Sequence, residues 1–453
     1  MIDLIPLLVF TSALLILLFP SGARPAENKA LLADDTFNGS NGGWESYSLQ
    51  EGQRPEFFVA EESGFGGPGS LGLYGASNSA ARGCWRKVVE GIQPGAYYRF
   101  EAHYKATGGT NLPIEVFARL EWQDAGGGMI GNTHYYPAEV AAEGDWNRLS
   151  GTYQAPEKAV RVRLELFLSH CPQGRALWDG ITLAQVPAPP PRKVRLATVN
   201  CRPGGNNSSA QSVEEFCRLV TRAGEARCDI VCLGEGINLI GVARPDGRPS
   251  EYKDIAEPSP GPTTARLSEL ARQYRMYIVA ALGERENQAI YNTAVLIGRD
   301  GRLKGKYRKV CVPDGELDQG CVPGGSFPVF DTDFGRVGLM ICWDSWFVDP
   351  ARALALKGAE VILLPIWGGD PTLIAARAIE NHVYLVSCGY DVASTVHDPW
   401  GRVIAEAKDK PGIAYADIDL NHPPACPWPW PLEDLRAQLL HSTRYDLQPV
   451  PPR

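Results

Sequence analysis

The stretch Gly338-Leu339-Met340-Ile341-Cys342-Trp343-Asp344, in the C-terminal part of this 453-residue chain, ends an apolar run on a cysteine. Its apolar run is typical of a buried strand, and a helical pattern over 350–357 follows shortly after the cysteine. Strand ends in α/β sheets are where ligands usually bind. Cys342 is therefore a candidate nucleophile, and the alternative interpretation is an ordinary core cysteine.

Two other strands end on side chains that suit the same chemistry. Glu235 follows the apolar stretch 229–233, and Lys309 follows a strand that begins after the hairpin turn Asp300-Gly301. A glutamate or lysine at a strand end is usually just solvated. The order and spacing of Glu235, Lys309 and Cys342 favour one shared site over three coincidences.

The three segments resemble the Glu-Lys-Cys constellation of the nitrilase superfamily of carbon–nitrogen hydrolases, over residues 194–420. The most similar branches cleave amide and carbamoyl groups. The resemblance implies a four-layer αββα sandwich, a covalent mechanism, and no metal or other cofactor. The stretches that match the family are 341–347, 358–362, 377–381 and 398–401.

The resemblance also implies a role for each site residue. Glu235 is the general base that takes the Cys342 proton as sulfur attacks the carbonyl carbon. Lys309 favours the thiolate and, with the backbone N–H of Trp343, stabilises the oxyanion. Water then releases the acid from the thioester.

A second glutamate in the loop after the lysine often completes such a site. Glu316 is at a suitable position and is expected to position Lys309 and the substrate, while Asp314 and Asp318 are close rivals. Cys311 and Cys321 flank this loop and are candidates for a disulfide that staples it.

The periodicity after residue 193 predicts an α/β domain with a covered sheet. Strands and helices alternate along it. The predicted strands are 194–199, 229–233, 277–282, 291–297, 337–341, 361–365 and 383–387, and the predicted helices have apolar positions at 213–223, 263–274, 350–357 and 374–381.

Before the proline-rich linker at 187–193, residues 30–186 alternate with period two, which predicts antiparallel strands in an all-β jelly-roll sandwich. The stretch 91–95, Trp146 and Trp178-Asp179 resemble the galactose-binding-like module of many carbohydrate-binding proteins. That resemblance makes a glycan a candidate partner, and plain packing against the catalytic domain is the alternative.

Residues 1–23 read as a secretory signal peptide, which predicts a secreted or periplasmic protein. The 11 cysteines fit an oxidising compartment if Cys342 stays a thiol and the others pair. The tail 421–453 contains the run Pro-Pro-Ala-Cys-Pro-Trp-Pro-Trp-Pro, which excludes a helix or a central strand.

The composition and the absence of certain motifs argue against several classes of function. A net charge of −8 without a basic run argues against nucleic acid. Neither a G-x-S-x-G nor an H-E-x-x-H motif occurs. A Cys/His protease using His382 or His397 leaves Glu235 and Lys309 unexplained.

Three hypotheses remain for the activity. They are hydrolysis of a non-peptide amide or N-carbamoyl group, acyl transfer through the same thioester, and glycan binding by a protein whose hydrolase domain is inactive. The family resemblance further implies a homo-oligomer that associates through the outer helices.

Overall fold

The structure of the protein is a computed structural model that describes residues 29–34, 37–109, 115–131, 134–137 and 139–421. The predicted signal peptide 1–23 and the tail beyond residue 421 lie outside the described residues. The same is true of residue 114, the first residue of the run 114–122, which shows the period-two alternation predicted for residues 30–186.

The N-terminal part is built from β-strands, as its period-two pattern predicts. Among its described residues, a 3-10 turn spans Glu51–Gln53. The strands are β1 (Lys29–Asp34), β2 (Glu45–Tyr47), β3 (Glu56–Ala60), β4 (Ser70–Tyr74), β5 (Arg82–Glu90), β6 (Tyr97–Thr107), β7 (Val116–Gln123), β8 (Glu139–Glu143), β9 (Trp146–Gln154), β10 (Arg161–Ser169) and β11 (Arg175–Val186).

These strands form two antiparallel sheets around one core. The larger sheet has the order β3-β4-β11-β6-β9-β8 with β1 paired to β11, and the smaller has the order β2-β5-β10-β7. Trp178 of the larger sheet and Trp122 of the smaller are both fully buried in the same apolar cluster. The antiparallel prediction is confirmed, and the jelly-roll assignment stays a prediction.

The second part alternates strands and helices, and among the described residues none of its helices is long and apolar enough to span a membrane. The strands are β12 (Lys193–Asn200), β13 (Ile230–Cys232), β14 (Tyr277–Glu286), β15 (Ala289–Ile297), β16 (Leu303–Arg308), β17 (Val329–Asp331), β18 (Arg336–Leu339), β19 (Val361–Pro365), β20 (Tyr384–Cys388), β21 (Thr395–His397), β22 (Val403–Glu406) and β23 (Gly412–Asp419). The helices are α1 (Ser209–Glu225), α2 (Tyr252–Ile255), α3 (Pro262–Tyr274), α4 (Asp314–Leu317), α5 (Val348–Leu356) and α6 (Pro371–Ile379).

These elements form the four layers that the family resemblance implies. One six-stranded sheet has the order β16-β15-β14-β13-β12-β23, and the other has the order β17-β18-β19-β20-β21-β22. Leu196 and Val279 of the first sheet share a buried cluster with Leu363 and Val386 of the second. Helices α1 and α3 pack on the first sheet, and α5 and α6 pack on the second. The αββα prediction is confirmed.

Both sheets contain a parallel core, and this fixes where the candidate residues lie. Strands β12, β13 and β14 run parallel in one sheet, as do β18, β19 and β20 in the other. Glu235 follows the carboxyl end of β13 and Cys342 follows the carboxyl end of β18. The fold therefore places both residues at strand ends, where α/β sheets bind ligands.

The buried layer between the two sheets makes a stability prediction. Leu363→Ala removes a fully buried side chain of β19 and should lower the free energy of unfolding by about 2–5 kcal/mol, because a cavity remains. Val403→Ala is the control, since Val403 of β22 is 50% exposed. Urea unfolding of the two variants measures the difference, and equal midpoints would contradict the shared core.

Candidate active site

Cys342 occupies a strained turn directly after an apolar strand. The ladder continues past β18, since Met340 N donates to Leu363 O at 3.1 Å. Cys342 itself has φ 43° and begins the 3-10 turn Cys342–Trp346. A non-glycine residue at such a φ costs about 1–3 kcal/mol and persists only where its surroundings hold it. The thiol Sγ lies 3.7 Å from Gly368 O.

Glu235 is almost fully buried, and one of its two carboxylate oxygens is firmly held. Oε1 accepts from Lys309 Nζ at 2.9 Å and from Asn292 Nδ2 at 2.7 Å. The backbone is fixed as well, because the Tyr390 hydroxyl donates to Glu235 O at 2.7 Å. Oε2 is buried and has no hydrogen-bond partner among the described residues. One oxygen is thus anchored while the other is left to accept a proton.

Lys309 is a buried cation between two carboxylates. It extends the β15–β16 ladder, since its backbone N donates to Asn292 O at 2.9 Å. Its ammonium group, whose side chain is 0% exposed, contacts Glu235 and Glu316. Buried charges are stable only when they are paired. The two glutamates together with the lysine make a compact ionic cluster.

The structure distinguishes Glu316 from its two acidic rivals. Glu316 lies in α4, and its side chain contacts both Lys309 Nζ and, at 3.0 Å, Asn292 Nδ2. Among the described residues no hydrogen bond joins Asp314 or Asp318 to Lys309. Glu316 is therefore the carboxylate of this loop that contacts Lys309.

Asn292 is a site residue that the sequence reasoning missed. It lies in β15, it is 1% exposed, and its amide donates to both Glu235 and Glu316. A pattern search sees only an asparagine inside a strand, so no spacing signal marked it. Its position opposite Lys309, one step beyond the pair Thr293–Arg308, becomes visible only in the paired register of β15 and β16.

The pKa of the Cys342 thiol is under opposing influences, and the expected effect of Lys309, which favours the thiolate, is the weaker one. Burial and the nearby carboxylate of Glu235 raise the pKa of Cys342 to about 12, although Lys309 pulls in the opposite direction. The negative charge of Glu235 thus outweighs the positive charge of Lys309 at the sulfur. Removal of the proton must accompany the attack.

The charge states of the other two groups follow from the same cluster. Burial alone lowers the pKa of Lys309, but the carboxylates of Glu235 and Glu316 raise it above its ordinary value. Burial and the neighbouring Glu235 raise the pKa of Glu316. Lys309 is therefore a permanent cation in the working range of pH.

The candidate oxyanion donor is free to act. The backbone N–H of Trp343 donates to none of the described residues. The side chain of Trp343 is 37% exposed and packs against Trp346 with ring centroids 5.3 Å apart. An N–H beside the nucleophile with no partner of its own suits a negative charge that develops during reaction.

The structure also bears on the candidate disulfide and on the alternative of a Cys/His protease. Cys311 and Cys321 are both free thiols, so the disulfide staple is not formed. The loop is closed instead by a backbone bond from Cys321 N to Glu316 O at 3.0 Å. His397 contacts Thr395 and Gly401 within its own turn, and burial lowers its pKa. It therefore gives no support to a Cys/His protease.

Comparison with known proteins agrees with this geometry. The carbon-nitrogen hydrolase family profile matches residues 195–423. The chain belongs to the carbon–nitrogen hydrolase family. It is therefore an enzyme that cleaves carbon–nitrogen bonds other than peptide bonds, with amidases and N-carbamoyl amidases among its relatives.

Individual relatives match about half of the chain. Omega-amidase NIT2 of Bos taurus is 32% identical over 256 residues, which cover 50% of this chain and 89% of that protein. N-carbamoylputrescine amidase of Solanum lycopersicum is 37% identical over 240 residues, which cover 45% of this chain and 79% of that protein. The solved carbon-nitrogen hydrolase from Helicobacter pylori G27 is 25% identical with a TM-score of 0.48, and it covers 56% of this chain and 97% of its own.

The raised pKa of Cys342 predicts how its thiolate titrates. The difference in absorbance at 240 nm between wild type and Cys342→Ala should show no thiolate step below about pH 10, because the thiol stays protonated. Glu235→Gln removes the neighbouring negative charge and leaves Lys309, so the step should move to lower pH. An unchanged step in Glu235→Gln would contradict the assigned electrostatics.

The amide of Asn292 makes a prediction about rate. Asn292→Leu removes two hydrogen bonds to carboxylates and should lower kcat roughly 10- to 100-fold, since bonds to charged groups contribute about 1.5–3 kcal/mol each. Asn206→Leu is the matched control, because Asn206 donates to the carboxylate of Glu215 at 2.9 Å outside the site. Equal kcat in both variants would show that Asn292 does not support the site.

Proposed function

We propose that the protein hydrolyses a small-molecule carboxamide or N-carbamoyl group through a thioester on Cys342. One observation carries the proposal. Glu235, Lys309 and Cys342 follow the ends of three strands from two sheets. Glu235 and Lys309 are in direct contact, and the charges of both act on the thiol of Cys342. A base, a buried cation and a thiol are the groups that thioester formation needs.

In the proposed first step, sulfur attacks the carbonyl carbon while the Cys342 proton moves to Glu235. The free oxygen Oε2 of Glu235 is the acceptor, because Oε1 is occupied by Lys309 and Asn292. The carbonyl oxygen gains negative charge, which Lys309 and the backbone N–H of Trp343 stabilise.

Collapse of the tetrahedral intermediate breaks the C–N bond. Glu235 returns the proton to the departing nitrogen, which leaves as ammonia or an amine. Water then attacks the thioester carbon, gives one proton to Glu235, and the acid departs as the Cys342 thiol is restored. Glu316 and Asn292 hold the side chains of Glu235 and Lys309 in position through both steps.

The positive charge of Lys309 supports these roles of Glu235 as the base and Lys309 as the group that stabilises the oxyanion. A lysine whose pKa is raised by two carboxylates cannot serve as the base near neutral pH, since it has no free electron pair there. It can stabilise a negative charge. The base is then Glu235, whose carboxylate lies beside the thiol.

The names of the relatives support the substrate class. An omega-amidase and an N-carbamoylputrescine amidase are both similar to this chain. We propose an amide or carbamoyl substrate on that basis. Acyl transfer to an amine uses the same thioester, and it differs only in the group that attacks the thioester carbon.

Secretion, glycan binding and self-association remain proposals. The sequence of residues 1–23 supports export. The two antiparallel sheets of the N-terminal part support the proposal of glycan binding, which binding of the full chain to a glycan array would test. Trp346, Phe347 and Val348 are exposed apolar residues at the start of α5, which supports self-association through the outer helices.

Ammonia release from a panel of amides and N-carbamoyl compounds tests the proposed reaction. Cys342→Ala should lower the rate at least about 1,000-fold, because the nucleophile is lost. Cys217→Ala, which changes a buried cysteine of α1, should keep the wild-type rate. Turnover that survives in Cys342→Ala would contradict the thioester, and a new amide formed from an added amine would indicate acyl transfer.

A further inference from the structure

Asp344 is a buried carboxylate that the proposed reaction does not use. It lies two residues after the nucleophile and is 0% exposed. Among the described residues no ion pair joins Asp344 to a lysine, arginine or histidine. A buried carboxylate is costly unless hydrogen bonds satisfy it. The hydrogen-bond partners of its two oxygens therefore indicate its role.

The two oxygens of Asp344 bind two separate segments of the chain. Oδ2 accepts from Ile341 N at 2.8 Å, which closes the turn that contains Cys342. Oδ1 accepts from Cys311 N at 3.0 Å, two residues after Lys309. One side chain thus joins the nucleophile turn of one sheet to the lysine loop of the other.

Tyr307 strengthens the same connection from the lysine side. Its hydroxyl donates to Asp344 Oδ2 at 2.7 Å and accepts from Val310 N at 3.1 Å. Tyr307 is 1% exposed and is the last residue but one of β16, the strand that leads to Lys309. The backbone on both sides of Lys309 is therefore tied, directly or through Tyr307, to Asp344.

We infer that Asp344, with Tyr307, is a positioning residue that sets the distance between Cys342 and Lys309 across the two sheets. The inference rests on the proposed function. Neither side chain need touch the substrate. The tie maintains the strained φ of Cys342 and keeps the ammonium of Lys309 where the oxyanion forms.

The electrostatics of the site are consistent with this role. Burial raises the pKa of Asp344, while the bonds from Ile341 N, Cys311 N and the Tyr307 hydroxyl oppose the rise. Burial and the Asp344 carboxylate raise the pKa of Tyr307, which keeps the hydroxyl protonated as a donor. Three converging donors fill the carboxylate, so an amide in its place must leave one donor facing another donor.

Two substitutions test the tie in the full-length protein. Asp344→Asn should lower kcat roughly 10- to 100-fold, since its NH2 opposes a backbone N–H. Tyr307→Phe should lower kcat by a smaller factor. The double variant should have about the same kcat as Asp344→Asn alone, because both substitutions break the same hydrogen-bonded connection. KM should change much less than kcat.

Matched controls separate positioning from loss of folding. Asp398→Asn alters a buried aspartate that accepts from Trp400 N at 2.9 Å and Arg402 N at 3.0 Å in another turn. Tyr277→Phe alters a buried tyrosine whose hydroxyl accepts from Asp333 N at 3.2 Å. Both should keep the wild-type kcat per active site, with sites counted by alkylation of Cys342.

A second readout responds to the Cys342–Lys309 distance itself. The alkylation rate of Cys342 by iodoacetamide at pH 9 should fall in Asp344→Asn, because a displaced Lys309 no longer favours the thiolate. Unchanged kcat and alkylation rates in Asp344→Asn, or effects that multiply in the double variant, would overturn the inference. Activity that survives in Cys342→Ala would instead overturn the proposed function, so the two failures are distinct.

Discussion

The buried ammonium of Lys309 is the constraint on which the rest of the site depends. A charge with no exposed surface must be paired, and the structure pairs it with Glu235 and Glu316. Each partner comes from a different strand end or loop, so the charge can be satisfied only when β13, β16 and α4 are all in place. The ionic cluster therefore forms only when these two strands of the first sheet and the loop after β16 are folded.

The same cluster determines how the thiol works. Because burial and Glu235 raise the pKa of Cys342, the resting enzyme stores no reactive thiolate. In the proposed mechanism, reaction requires a substrate carbonyl within reach, and the proton then passes to the buried oxygen Oε2 of Glu235. A thiol that stays protonated until attack is also less open to oxidation and side reactions. The strain at Cys342 is held by bonds beyond the ionic cluster, from Asp344 above all.

Much of this could be predicted from the sequence, and the limits have physical causes. Strand 361–365 and the ends of helix 263–274 followed from local periodicity, and Glu235, Lys309 and Cys342 followed from motifs at strand ends. Asn292 could not be found, because its role depends on the pairing of β15 with β16. The raised pKa of Cys342 could not be found either, since burial and two opposing charges decide it. The short strands β17, β21 and β22 have too few residues to show a period.

The most direct test of the account is a search for the acyl-enzyme itself. Full-length enzyme is mixed with an amide that it turns over, quenched in acid within milliseconds, and analysed by intact and peptide mass spectrometry. The account predicts an added acyl mass on the peptide that contains Cys342, lost on longer incubation, and none in Cys342→Ala. Rapid turnover without any adduct, or an adduct on another residue, would contradict it.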